Sequence, residues 1–139
     1  MYLLDTNVVS ELRKVRAGRA HAGVAAWADS VEGADLYVSC VTLEEIEIGV
    51  LLAERRDARQ GEALRHWLSR QVIPAFEGRI LPIDTPVALR SAQLHVPDPR
   101  AIRDAYIGAT ALVHGLKLVT RNVSDFDGCG IDLLDPWRN

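Results

Sequence analysis

The hydrophobic positions of this chain come in short blocks, each closed by polar residues. Tyr2-Leu3-Leu4 is apolar and stops at Asp5, with Thr6 and Asn7 behind it. A run of that length bounded by turn formers reads as a buried strand. Asn7 is a good N-cap for the helix-like stretch Val8 to Lys14. Val24 to Ala28 reads as a helix that buries Trp27. Leu36 to Val41 is β-branched and aromatic, which predicts a second strand. Thr42 and Glu45 then stand at capping-box spacing. They open a helix to about Arg56, with Ile46, Val50 and Leu51 on its apolar face and Gly49 allowing close approach.

Gly61 to Val72 predicts a further helix with Leu64, Trp67 and Leu68 inward, broken by Pro74 and Gly78. Arg79 to Ile83 predicts a short strand. Thr85 before Pro86 marks a helix start, because proline suits the first helical position. That helix runs to about Leu94, and His95 to Arg100 forms a loop. Ala101 to His114 is helical and stopped by Gly115. Leu116 to Thr120 and Ile131 to Leu134 supply the last strands. Strands alternating with helices predict a three-layer α/β/α sandwich around a mainly parallel central sheet, as a single domain over residues 1–139.

Composition narrows this picture. Hydrophobic residues make 48% of the chain and charged ones 25%, so it is globular rather than disordered. The net charge of −3 gives no general attraction to nucleic acid or anionic membrane. A polyanionic substrate would need local patches or bound metal. No apolar run approaches the roughly 18 residues of a membrane span. No export signal is apparent, so a cytoplasmic protein with no membrane association is expected. Cys40 and Cys129 form no CxxC pair and are expected as reduced thiols. The basic run Arg13, Lys14, Arg16 and Arg19 is a solvated surface, or else an edge that contacts phosphate or a partner. Arg55, Arg56, Asp57 and Arg59 form a second, mixed run facing solvent.

The candidate chemistry lies at the strand ends. Asp5 follows the first strand, Thr42 and Glu45 the second, and Thr120, Asn122 and Asp125 a later one. Asp104 lies early in the helix before that later strand. It shares a face with Ile107, Gly108 and Ala111, which predicts that it packs near the sheet. Each has a simpler reading: Asp5 as a turn residue, Glu45 as a helix cap, Asp104 as an acid favoured by the helix dipole. If the strands are parallel neighbours, the acids converge at one edge, where open α/β sheets bind ligands. Two carboxylates about 5 Å apart repel by roughly 3 kcal/mol at an effective dielectric near 20. Three or four therefore need a cation, or they must share protons. Oxygen ligands suit Mg²⁺ or Mn²⁺ rather than Zn²⁺. Such an ion activates water and neutralises developing charge, which is the chemistry of phosphodiester cleavage.

Four stretches together resemble the VapC-type PIN-domain ribonuclease toxins, close to the FitB-like branch, over nearly the whole length. They are Leu3-Leu4-Asp5-Thr6-Asn7, Val41-Thr42-Leu43-Glu44-Glu45-Ile46 with Gly49-Val50, Asp104 to Ala111, and Val119-Thr120-Arg121-Asn122 with Asp125-Phe126. The resemblance implies the PIN fold, Mg²⁺-dependent endoribonuclease activity with Mn²⁺ as a possible substitute, and inhibition by a cognate VapB-type antitoxin. It implies Asp5 and Asp104 as the metal ligands and Glu45 as the third acid, with Glu44 facing elsewhere. The fourth catalytic position falls to Asn122 or Asp125, because Asn122 stands where relatives often carry an acid. Asn7, Thr120 and Arg121 are the candidate substrate contacts. The family also dimerises or forms toxin–antitoxin hetero-oligomers, and reaches operator DNA through the antitoxin. Two rivals stand beside this reading. A phosphohydrolase with Asp5 as covalent nucleophile would want an acid at position 7, which is Asn7. A non-catalytic PIN-like module acting through its antitoxin complex would use the same acidic groove.

Overall fold

The structure is a computed structural model that describes residues 1–138. Five strands form the sheet: β1 (Tyr2–Leu4), β2 (Leu36–Ser39), β3 (Ile80–Leu81), β4 (Lys117–Val119) and β5 (Leu133–Leu134). Their order is β3-β2-β1-β4-β5, and every neighbouring pair is parallel. The expected mainly parallel sheet is therefore wholly parallel among the described residues. Central β1 pairs Leu3 with Tyr37 on one side and with Leu118 on the other. The chain fills one side of β1 and then crosses to the other. The crevice between β1 and β4 is therefore a topological switch point, where such sheets bind ligands.

Helices cover both faces. They are α1 (Thr6–Leu12), α2 (Ala22–Asp29), α3 (Cys40–Arg56), α4 (Ala58–Trp67), the short α5 (Ile73–Ala75), α6 (Thr85–Leu94) and α7 (Ile102–His114). Successive strand residues point to opposite faces, and β1 shows it. Leu4 joins a core with Val8, Trp27, Ile46, Val50 and Val72, whereas Leu3 joins one with Ile107, Ala111, Leu118 and Phe126. No described helix is long and apolar enough to cross a membrane. Cys40 and Cys129 are free thiols.

Helix starts differ from the sequence expectation in a regular way. Asp5, not Asn7, caps α1, and its carboxylate accepts from the Thr6 amide. β2 ends at Ser39, so Val41 is already helical, and Ser39 caps α3 by accepting from the Val41 amide. Thr42 is buried inside the first turn, and no capping box forms with Glu45. Asp84 rather than Thr85 caps α6, with Pro86 in its first turn as expected. Pro74 does not break the third-quarter helix. A π-helical turn over Leu68–Val72 runs on into α5, and Pro74 sits just after that turn, where the wider helix accommodates it. Gly78, at φ +78°, does end the run.

Gly61 sets the approach of α3 and α4. A Cβ there would lie 2.5 Å from the Glu54 Cα, closer than backbone can give way. Arg65 clamps the same pair from outside, reaching Glu47 at 2.5 Å and Glu54 at 3.1 Å. Gly61→Ala is expected to lower stability by about 1–3 kcal/mol through overpacking, read as a fall in Tm in a thermal melt. An unchanged Tm would mean that the two helices separate without cost.

Candidate active site

β1 delivers Asp5 to the switch-point crevice, and two neighbouring elements fix it there. Asp5 is 6% exposed, and its Oδ2 accepts the Thr120 hydroxyl at 2.7 Å and the Asn7 amide at 3.3 Å. Its Oδ1 accepts the Thr6 backbone amide at 2.7 Å. Thr120 is itself fully buried and accepts from the Asn122 backbone amide, so the end of β4 is tied to the end of β1. Burial raises the Asp5 pKa above the usual carboxylate range; the three donors oppose this, and Glu45 adds to it.

Glu45 comes from the first turns of α3. Its Oε1 accepts the Thr6 hydroxyl at 2.6 Å, which links α1 to α3 instead of tying Glu45 back to Thr42. Asp104 sits in the first turn of α7 and is half-buried. The small and apolar face predicted around it is real: Ile107, Gly108 and Ala111 are all buried. Gly108 lets α7 lie against Ile131, whose Cδ1 would stand 2.9 Å from an added Cβ. Among the described residues the Asp104 carboxylate has no hydrogen bond or ion pair. Its pKa is pushed up to about 6, first by burial and then by the charges of Asp5, Asp125 and Glu45. Acids from three separate stretches, Asp5, Glu45 and Asp125, therefore act on Asp104.

Asp125 and Asn122, the two candidates for the fourth position, are both exposed and differ in what they touch. Asp125 lies in a 3-10 turn (Val123–Phe126) that buries Phe126, and its charge reaches Asp104. Asn122 is exposed and contributes through its backbone, whose amide donates to Thr120 and whose carbonyl accepts from Asp125. Asn7 donates to Asp5 and accepts the Arg121 amide at 3.2 Å. The Arg121 side chain lies over the Trp137 ring at 5.4 Å.

Three residues of the site carried no signal strong enough to single them out. Thr6 holds Glu45, a role hidden because the partner is 39 residues away. Arg100 donates to the carbonyls of Leu94, Asp125 and Asp127, locking the turn that carries Asp125. Arg103 pairs with Glu44 and Glu45 at 3.6 and 3.9 Å. Glu44, expected to face elsewhere, lines the same groove as Glu45 and Asp104.

The donor set fits a hard divalent ion. Among the described residues no three Asp, Glu, His or Cys side chains form a ready metal cage. Asp5 and Asp104 would supply two carboxylates, leaving the rest of the shell to water and phosphate. That is how Mg²⁺ is usually held, since it parts with its waters reluctantly. Asp104, which has no partner among the described residues, is the group whose charge such an ion would offset.

Comparison with known proteins identifies the family. The PIN domain family model matches residues 2–127. The VapC ribonuclease Y4jK of Sinorhizobium fredii is 36% identical, over 99% of each chain. The toxin FitB of Neisseria gonorrhoeae is 35% identical, over 100% of each chain. The solved structure of FitAcB from Neisseria gonorrhoeae superposes with a TM-score of 0.89 at 35% identity, covering 100% of each chain. FitAB bound to an IR36 DNA fragment gives a TM-score of 0.88 at 34% identity, covering 99% of this chain and 96% of that one. Fold, site and likeness together place the chain in the PIN-domain family, among its VapC- and FitB-type members.

Proposed function

We propose that the chain is the toxin of a type II toxin–antitoxin pair and cleaves RNA phosphodiester bonds as a Mg²⁺-dependent endoribonuclease. One observation carries the reading: Thr6 joins Asp5 to Glu45 at the end of β1, and Glu45 shares a groove with Asp104, whose carboxylate has no partner among the described residues. Mn²⁺ would substitute for Mg²⁺ in an oxygen-ligand site. A bound divalent ion supplies an activated water and offsets the charge that develops on the phosphoryl oxygens. Asp5 and Asp104 would hold it, and Thr120, Asn7 and the Thr6 amide keep Asp5 in one rotamer. Glu45 Oε1 is taken by the Thr6 hydroxyl, which leaves Oε2 as the proton acceptor beside the reacting phosphate. Asn7 and the exposed Arg121–Asn122 backbone form the polar rim that would meet the RNA, whereas Thr120, expected as a substrate contact, is fully buried and holds Asp5 instead.

The test uses protein freed of antitoxin. Cleavage of RNA is expected to stop in EDTA and to return on adding Mg²⁺ or Mn²⁺. Cleavage that ignores metal would end the proposal. A non-catalytic binding module, the rival reading, predicts no cleavage in either condition. Thr120→Val removes one hydrogen bond to the Asp5 carboxylate, worth about 1.5 kcal/mol, so a loss of roughly 10-fold in cleavage rate is expected. A rate within 2-fold of the unaltered protein would show that Asp5 is positioned without it.

The relatives seen in complexes suggest the partner. FitAB, solved bound to a DNA fragment, supports an antitoxin partner that would carry any operator DNA contact. The assembly would be a homodimer or a toxin–antitoxin hetero-oligomer. An Arg or Lys of the antitoxin is expected to enter the acid cluster, because a cation there relieves the same repulsion as the metal. A complex with only apolar contacts at the cluster would contradict this.

A further inference from the structure

The acid cluster opens into a groove of about 790 Å³ between the starts of α3 and α7. Glu44, Glu45 and Asp104 line it on one side, and Ile102 and Tyr106 form part of an apolar wall. Arg103 is the one cation among its lining residues. We propose that Arg103 is a substrate-binding residue, whose guanidinium leaves Glu44 and Glu45 to grip an RNA phosphate next to the scissile one. The inference rests on the nuclease reading above.

The other arginines whose contacts the structure defines are committed elsewhere. Arg65 bonds both oxygens of Glu47, at 2.5 and 2.7 Å. Arg79 and Arg100 are spent on backbone carbonyls. Arg13 and Arg121 lie over the Trp67 and Trp137 rings. Arg103 is different. Its two ion pairs, at 3.6 and 3.9 Å, are too long for hydrogen bonds, and its side chain is 51% exposed. Pairs of this kind are weak in water and cost little to break. A phosphate oxygen offers the guanidinium a short, charge-assisted, bidentate partner instead.

The exchange also suits the acids. Thr6 keeps Glu45 in place when Arg103 departs, because it holds the other oxygen. A groove lined by three carboxylates would otherwise repel RNA, and Arg103 is the residue placed to reverse that at the site itself. Ile102, 65% exposed beside it, gives an apolar surface for the base of the same nucleotide.

The experiment compares Arg103→Ala and Arg103→Lys with unaltered, antitoxin-free protein on a short RNA at several salt concentrations. Arg103→Ala is expected to raise KM by about 10-fold or more, with the loss falling on KM rather than kcat. It should also reduce the slope of log KM against log salt by about one, as for one lost phosphate contact. Arg103→Lys should restore the salt slope and part of the KM. Thermal melts of both variants should match the unaltered protein, which a structural role would not allow. An unchanged KM and salt slope in Arg103→Ala, with the unaltered protein cleaving normally, overturns the assignment and leaves the nuclease reading intact. RNA cleavage absent from the unaltered protein overturns both. A KM change without a change in salt slope assigns Arg103 to shaping the groove and overturns phosphate binding.

Discussion

Asp5→Asn is expected to cut RNA cleavage by at least about 100-fold while the protein stays folded, the scale seen when one group that stabilises transition-state charge is removed. The capping duty of position 5 survives the change. Asparagine caps a helix about as well as aspartate, so the bond from the Thr6 amide to the residue before α1 is retained. The new amide nitrogen takes the place of Oδ2, where it can donate to the Thr120 oxygen, while the Asn7 amide loses its acceptor. What disappears is the charge, and with it one of two anionic ligands for a divalent ion. Because burial already raises the Asp5 pKa, losing the charge offsets part of the lost hydrogen bonding, and the protein should still melt as a folded domain. Initial cleavage rates at saturating Mg²⁺, beside a thermal melt, decide the matter. A rate within about 3-fold of the unaltered protein, with the melt intact, would remove Asp5 from the chemistry and leave it a capping residue.

Why Asp5 could be picked out of the sequence and Arg103 could not is a matter of range. Leu3 and Leu4 alternate between the two cores, so an apolar pair stopped by a carboxylate fixes a strand and its polar end together. The remaining acids follow from the same rule at β2 and β4, and Asp104 from its small, buried helical neighbours. The caps were less legible because capping residues crowd each strand-to-helix junction. Asp5, Thr6 and Asn7 all qualify, as do Ser39 and Thr42, and Asp84 and Thr85. Which one caps is settled by where pairing with the neighbouring strand ends, as in the register of Ser39 with Leu81. The cap reading of Glu45 arises because sequence shows Thr42 three residues back and hides Thr6 across the fold. Pro74 was read as a breaker because nothing local announces a π turn ahead of it.

Asp104→Asn is expected to make the metal-free protein more stable and the enzyme inactive. In the fold Asp104 titrates near 6, against 3.8 ordinarily, chiefly through burial and then through its acidic neighbours. A raised carboxylate pKa means that the native state binds the proton more tightly than the unfolded chain does. Its favourable contribution is complete below about pH 3.8 and is lost as pH rises through about 6. The full shift corresponds to about 3 kcal/mol, but the carboxylate is partly solvated, and screening leaves about 1–2 kcal/mol. In EDTA at pH 7.5, Asp104→Asn should therefore raise Tm by roughly 3–8 °C. The same variant should flatten the decline in stability between about pH 4 and 6. Mg²⁺ should raise the Tm of the unaltered protein, since it binds only the native state, and should do little for the variant. RNA cleavage should fall at least about 100-fold, as for Asp5. The residue that most weakens the empty fold would then be the one that most needs the ion. A variant that melts at or below the unaltered protein in EDTA, together with no Mg²⁺ effect on either, would show that the four acids do not share one electrostatic site.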